Sequence, residues 1–344
     1  MKRLARIPGM KIWSMLLLVG GMLGSCDVLT EEEEDCAVYV SFRYDMNMEF
    51  TNAFQHAVNS VTLYAFDKNG VLAFQKTEEG ELLKEDGYRM RLDQISHTER
   101  ADYDFITWAG EPDNESFSIP VLTVGKHTKE DLICQLNRAG DGVVDDNLDN
   151  LFHGQVNGLT FGSRATQPGV DVVVPLVKNT NNIRIVLQEV SGEPLSASDF
   201  NFAITDKNGK MNYDNTLMED EQLTYKEWYK GNGQAGMDEE SRAEGITEIN
   251  VAIAELTTAR LMADMNPILT ITKAETGEQV LSIPLVDCAL LYKREKYRDM
   301  PNQEYLDRED EYNFTFFLDE NNNWVSSSII INSWRLVLQD SELK

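Results

Sequence analysis

Ser60-Val61-Thr62-Leu63-Tyr64-Ala65-Phe66-Asp67-Lys68-Asn69-Gly70 is the stretch on which the fold turns. Its first part is rich in β-branched and aromatic residues, and the aspartate, asparagine and glycine that follow have the composition of a chain reversal. The pattern predicts a strand running into a tight hairpin, with Asn69-Gly70 supplying the positive φ angles of the turn and residues 71–74 returning. The same grammar occurs again where Phe200-Asn201-Phe202-Ala203-Ile204-Thr205 runs into Asp206-Lys207-Asn208-Gly209. Two copies of one turn are a weak sign of duplication. Together with an initial strand set in each half they predict an all-β chain with two similar β-sandwiches joined near 165–175.

Period-two alternation continues on both sides of that stretch. Residues 37–44 place Val38, Val40, Phe42 and Tyr44 on one face, as in a half-buried strand. Residues 51–59 carry Ala53, Phe54, Ala57 and Val58 at helical spacing behind Asn52, a capping residue, and predict one short helix. Further strands are expected at 88–92 and 104–108, a strand or short helix at 128–136, and an exposed loop at 137–150, where Gly140 and Gly142 lie among Asp141, Asp145, Asp146 and Asp149. In the second half, strands are expected at 172–177, 183–190, 256–262, 268–273 and 279–285, and a closing hairpin at 312–318 and 324–338. Residues 218–245, with Gly231, Gly233 and Gly236, predict a long surface loop. Segments 289–294 and 303–309 fit either strand or helix, and total helix content is expected to be small.

The amino terminus sets the location. Lys2, Arg3, Arg6 and Lys11 precede an apolar run from Ile12 to Leu23, too short to span a bilayer, and Leu23-Gly24-Ser25-Cys26 ends it. Small residues before a cysteine suit a lipoprotein signal peptidase cutting between Ser25 and Cys26, with the Cys26 thiol taking the lipid. The expected order is a signal peptide at 1–25, an acidic tether at 26–35, and sandwiches at 36–170 and 171–344. Asp27 and the unbroken run Glu31 to Asp35 cannot bury themselves, so the tether is solvated. Acids close behind the lipidated cysteine resemble the signal that sends lipoproteins of Bacteroidetes-type bacteria to the outer face of the outer membrane.

The formal charge is −27, and residues 1–25 hold four cations and no anion, so the chain from Cys26 onward carries −31. Such a surface repels phosphate backbones and anionic lipid, which excludes nucleic acid as an expected partner and leaves the lipid as the means of attachment. Beyond Cys26 there remain Cys36, Cys134 and Cys288, with no CxxC spacing. An oxidising envelope permits a Cys36–Cys134 disulfide, the alternative being three buried free thiols.

No catalytic, cofactor or metal constellation emerges. Gly231-Asn232-Gly233-Gln234-Ala235-Gly236 matches the dinucleotide string, but acids follow where a helix should present its amino terminus to pyrophosphate. His56, His97, His127 and His153 never approach metal-binding spacing, and the oxygen-rich turns at 67–70, 141–149 and 319–323 lack the order of a calcium loop. No nucleophile elbow or phosphate-loop lysine is present. No cofactor, metal or small-molecule substrate is expected, and the chain does not read as an enzyme.

Seven segments in order carry a resemblance: Cys36 to Tyr44, Val61 to Asp67, Phe105 to Gly110 with Trp108-Ala109-Gly110, Leu151-Phe152-His153-Gly154, Leu176 to Ile183, Gln303 to Glu309, and Ile331-Asn332-Ser333-Trp334. With the Leu-Gly-Ser-Cys box, this ordered set resembles the FimB-type fimbrial anchor family of Bacteroidales. The resemblance implies two tandem transthyretin-like sandwiches and a non-enzymatic lipoprotein at the base of a fimbrium. Such a protein tethers the stalk to the outer membrane and limits its length. A sandwich edge accepting a donor strand from the first stalk subunit is the implied mode of contact. The resemblance also implies stalk subunits matured by a trypsin-like cut. Here Arg43 lies within the first strand and Arg164 near the domain junction, so the first strand is expected to stay attached. The rival class is a surface glycan-binding lipoprotein of a polysaccharide-uptake system, for which Trp228 and Tyr229 are candidate stacking platforms.

Overall fold

The computed structural model describes residues 38–95, 100–162, 170–236 and 248–337. The chain is all-β, with sandwiches in tandem and few helices. The first half contains β1 (Val38–Arg43), the short helix α1 (Phe54–Ala57), β2 (Ser60–Asp67), β3 (Leu72–Glu79), β4 (Met90–Leu92), β5 (Ala101–Gly110), β6 (Phe117–Ser118), β7 (Cys134–Leu136), β8 (Val143–Val144), β9 (Leu151–Phe161) and β10 (Val170–Lys178). There follow β11 (Thr180–Glu189), β12 (Phe200–Asp206), β13 (Lys210–Met211), β14 (Leu223–Lys226), β15 (Tyr229–Gly236), β16 (Glu248–Ala259), β17 (Ile268–Lys273) and β18 (Gln279–Pro284). Helices α2 (Leu285–Lys296) and α3 (Asn302–Arg308) precede the closing strands β19 (Glu311–Leu318), β20 (Trp324–Ile331) and β21 (Trp334–Val337).

The first sheet runs β3-β2-β5-β9-β10-β1-β4. It folds into two arms because β10 changes partner along its length: Val170 to Pro175 lie parallel to β1, and Leu176 to Lys178 pair antiparallel with β9. The two arms enclose a core of Val38, Val40, Phe42, Val61, Leu63, Phe105, Phe152, Val172 and Val174. Residues of β10, expected to open the second half, are thus hydrogen-bonded into the first sheet, which runs on to Lys178, beyond the boundary expected at 170/171. The second sandwich sets β15-β16-β11-β19-β20-β21 against β18-β17-β12-β14-β8. Here too the first strand of the half, β11, lies parallel to a late strand, β19.

The halves share one core. The outer face of β2 and β5 contributes Tyr64, Phe66, Ile106 and Trp108 to the cluster that contains Phe202, Ile204, Leu256, Phe314 and Phe316 of the second sandwich. A three-stranded sheet, β13-β7-β6, stitches the seam, with Met211 opposite Cys134 and Lys210 opposite Gln135. Arg138 and Asp220 form a two-pronged ion pair across it, at 2.6 and 2.7 Å. His153 sits at the same seam, 4 % exposed, with Nε2 2.8 Å from the Tyr213 carbonyl. Burial lowers its pKa to about 4, so the imidazole is neutral at pH 7.

Several expectations are corrected. Residues 218–245 do not form one loop: β14 and β15 lie within it, β15 pairing with β16 from Tyr229–Glu255 to Gly236–Glu248. Loop 137–150 contains β8, parallel to β14. Segments 289–294 and 303–309, open between strand and helix in the sequence, are helical in α2 and, as far as Arg308, in α3. The last strand, expected to run through 324–338, reverses at Asn332 and Ser333, whose φ values of 47° and 69° make a hairpin turn between β20 and β21. The helix expected at 51–59 shrinks to α1, ending where Val58 turns extended, and Asn52 Oδ1 accepts from the amides of Phe54 and Tyr44.

Candidate partner interface

Among the described residues the first strand is the element nearest the amino terminus. β1 is wedged between β10 and β4. Its alternate side chains, Val38 at 2 %, Val40 at 0 %, Phe42 at 4 % and Tyr44 at 5 % exposure, form a continuous inward row. Burying an aliphatic or aromatic side chain contributes roughly 1.5–3 kcal/mol, so removing this row costs on the order of 8 kcal/mol, comparable with the net stability of a whole domain. The outward face holds Arg89 stacked 4.3 Å from the Tyr39 ring and paired with Asp171.

The exit of β1 is tied to the second half. Asn47 Nδ2 donates to the carbonyls of Tyr44 and Thr51 at 3.0 and 2.8 Å. From α3, Arg308 Nη1 donates to the carbonyls of Asp45 and Asn47 at 2.9 and 3.3 Å, and its guanidinium lies 4.5 Å from the Phe50 ring. Arg260, at the end of β16, holds α3 in turn through a bidentate pair with Asp307, both at 2.9 Å. The exit of β1 is thereby linked to the second sandwich through charged side chains with fixed hydrogen bonds.

Unpaired backbone groups lie at the sheet edges. Among the described residues the edges of the larger sheets are β3, β4, β15, β18, β8 and β21. β3 is guarded by Lys76, Glu78 and Glu79, and β4 is three residues long. β15 has glycines at 231, 233 and 236 and a single charged residue, Lys230, making it the less protected of the two eight-residue edges, β3 and β15. Gly231 and Gly233 leave room on its outer face for Tyr229 and Ile253, which a Cβ would meet at 2.5 and 2.4 Å.

The residues singled out in the sequence fall as follows. Ser25, Cys26, Cys36 and His97 lie outside the described residues. Cys134, expected to pair with Cys36, is fully buried facing the shared core and has no disulfide partner among the described residues, and burial pushes its pKa well above the ordinary thiol value. Cys288, within α2, is also buried and has no disulfide partner among the described residues. The dinucleotide-like string lies in β15 rather than at a strand-to-helix turn. His127 Nδ1 accepts from the Thr123 amide at 2.8 Å, a local loop contact. Among the described residues no group of three or more His, Cys, Asp or Glu is placed to hold a metal ion. Asp67 and Asp319 direct their carboxylates at backbone amides of their own turns, Asp67 to Asn69 and Val71, Asp319 to Asn321 and Asn323. Among the described residues no helix is long and apolar enough to cross a membrane.

The model of the fimbrillin-A associated anchor proteins Mfa1 and Mfa2 matches residues 32–340. The chain belongs to this family. A solved candidate adhesin from Bacteroides thetaiotaomicron is 34 % identical, with a TM-score of 0.77 over 90 % of this chain and all of that one. A candidate polysaccharide-binding protein from the same organism is 30 % identical, with a TM-score of 0.74 and the same coverage. The fimbrial anchor protein Mfa2 of Porphyromonas gingivalis shares the fold, at 15 % identity and a TM-score of 0.65, covering 89 % of this chain and all of that one. No curated protein matches the sequence. Membership places the chain among fimbrial anchor proteins of the cell surface, a structural rather than catalytic family.

Proposed function

We propose that the chain is an outer-membrane lipoprotein whose lipid on Cys26 moors a fimbrium, and that it accepts a donor strand from the first stalk subunit and so limits fimbrial length. Cleavage falls between Ser25 and Cys26, residues 26–35 form a solvated acidic tether, and the two sandwiches follow. The observation that carries the reading is the seating of β1. Its inward row is buried and its exit loop is held by Arg308, so the strand nearest the membrane is built to bear load rather than to be exchanged. With that slot filled by the chain itself, the stalk's strand adds at an open edge, where backbone pairing supplies affinity and alternate side chains supply register. Growth starts on this subunit, and because its own amino terminus is held by lipid it donates no strand beneath itself.

The test compares surface fimbriae from the parent strain, a deletion strain and a Cys26→Ala strain. Long fimbriae shed into the medium in both altered strains are expected, and unchanged length and attachment in both would overturn the proposal. Sequencing the amino terminus of the mature protein checks the load-bearing strand. It should begin at Cys26, and a terminus beyond Arg43 would contradict a retained β1.

A further inference from the structure

On the outer face of the second sandwich, where β16, β11 and β19 lie side by side, the sheet carries a polar groove of about 300 Å³. Trp228, at the corner between β14 and β15, forms one wall and is 39 % exposed although it is a large aromatic. Its position is fixed by its backbone amide, which donates to the Glu255 carbonyl at 3.0 Å. The floor is a grid set by strand register: Arg184 lies opposite both Glu255 and Asn313, and Asn182 lies opposite Glu311. Arg184 and Glu255 approach to 3.7 Å, and Asn182 Nδ2 donates to Glu311 Oε1 at 3.3 Å. Asn147, from the loop after β8, closes the far side.

We propose that this groove is a binding site for a neutral pyranose oligosaccharide. An exposed indole presents an apolar, electron-rich face that suits the C–H face of a sugar ring. In a row along the groove, amides donate to and accept from neighbouring hydroxyls and carboxylates accept from them, each group satisfying more than one bond. Polarity argues against a protein strand laid across this face, since such a contact would need apolar pockets for alternate side chains and would leave Arg184 and Glu311 desolvated. Charge selects within the sugars. Glu255 and Glu311 outnumber Arg184 in a chain of net charge −27, so uronic and sialic acids are repelled. The site is independent of the anchoring reading and of the strand edges.

The test is isothermal titration calorimetry on the full-length chain in detergent, using maltohexaose, cellohexaose and mannohexaose as neutral probes and hexagalacturonate as the anionic one. At least one neutral probe should bind and hexagalacturonate should not. Trp228→Ala and Asn313→Ala should each weaken binding about tenfold or more with an unchanged melting temperature. Tyr229→Ala, whose ring lies over Gly231 outside the groove, should leave affinity within about twofold. The proposal is overturned if no neutral probe binds, if Trp228→Ala binds as well as the parent, or if hexagalacturonate binds as tightly as the neutral sugars. It is also overturned if Trp228→Ala blocks stalk incorporation while leaving sugar binding intact.

Discussion

The string Asp-Lys-Asn-Gly occurs twice, at 67–70 and 206–209, and the molecule uses the two copies in opposite ways. In the first it is a surface hairpin. Asp67 Oδ1 accepts from the Asn69 and Val71 amides at 2.8 and 3.0 Å, and Gly70 alone takes a positive φ, of 75°. The sequence expectation that Asn69 also adopts one is therefore corrected: the aspartate's carboxylate organises the turn, and one left-handed residue suffices. In the second copy the turn is buried at the seam of the halves. Asn208 is 0 % exposed, its Nδ2 donating to the carbonyls of Ala259 and Arg260 at 3.1 and 3.0 Å and its Oδ1 accepting from Tyr225 at 2.6 Å. Gly209 has no left-handed backbone. It is glycine because a Cβ would lie 2.6 to 2.8 Å from Leu223 Cδ1, Arg138 Nη1 and Asp220 Oδ2. Identical residues thus solve a backbone problem in one place and a packing problem in the other, so the repeated string says little about duplication. The parallel pairing of the opening strand in each half, β1 with β10 and β11 with β19, is the better structural parallel.

The largest test of this contrast is Asn208→Ala against Asn69→Ala. Loss of the buried amide takes a donor from the Arg260 carbonyl and the acceptor from the Tyr225 hydroxyl, while the Ala259 carbonyl keeps Asn181 Nδ2, so Asn208→Ala should lower unfolding stability by about 3 kcal/mol in urea titration, whereas Asn69→Ala should change it by about 0.5 kcal/mol or less. Equal effects would erase the distinction.

Next in size is the aspartate pair. Burial raises the Asp206 pKa to about 6, and among the described residues its Oδ2 has no hydrogen-bond partner. A carboxyl whose folded pKa lies above its unfolded value binds protons preferentially in the folded state. Its penalty is absent below pH about 4, grows between about 4 and 6, and is complete above 6, where it reaches roughly 2–3 kcal/mol. Asp206→Asn should therefore stabilise the protein at pH 7.5 and have no effect at pH 3.5, read from melting temperatures across that range. Asp67→Ala should instead destabilise at neutral pH, by about 1 kcal/mol, through loss of its amide contacts.

The smallest contrast concerns the glycines. Gly209→Ala should cost about 2 kcal/mol by displacing the Arg138–Asp220 pair, and Gly70→Ala about 1 kcal/mol from its left-handed backbone. A Gly209→Ala variant that unfolds like the parent would show that the ion pair yields without cost.

The candidate groove was only partly legible in the sequence. Trp228 stands out as an aromatic in polar surroundings, but Asn182, Arg184, Glu255 and Asn313 are ordinary solvent-face residues of separate strands. They converge because β11 pairs with β16 on one side and β19 on the other. β15 was missed for a related reason. Glycines and amides have no alternation to read, and the segment is a strand because β16 offers it a partner. For α2, Leu285-Val286-Asp287-Cys288-Ala289-Leu290-Leu291-Tyr292 is buried nearly all round, leaving no polar face to set a helical period.

The sequence by itself determined what depends on near neighbours. These are the strands whose inward and outward residues alternate, the turns made by Asp67 and Asp319, the low helix content, and an amino terminus with the order of a lipoprotein signal. Tertiary structure alone decided which strands are partners. It put β10 with β1, placed Cys134 in the shared core, and buried one Asp-Lys-Asn-Gly turn while exposing the other. Alternation and turn chemistry act over a few residues, whereas register and burial are fixed by contacts between segments a hundred or more residues apart, such as Val38 beside Val170, which no local pattern encodes.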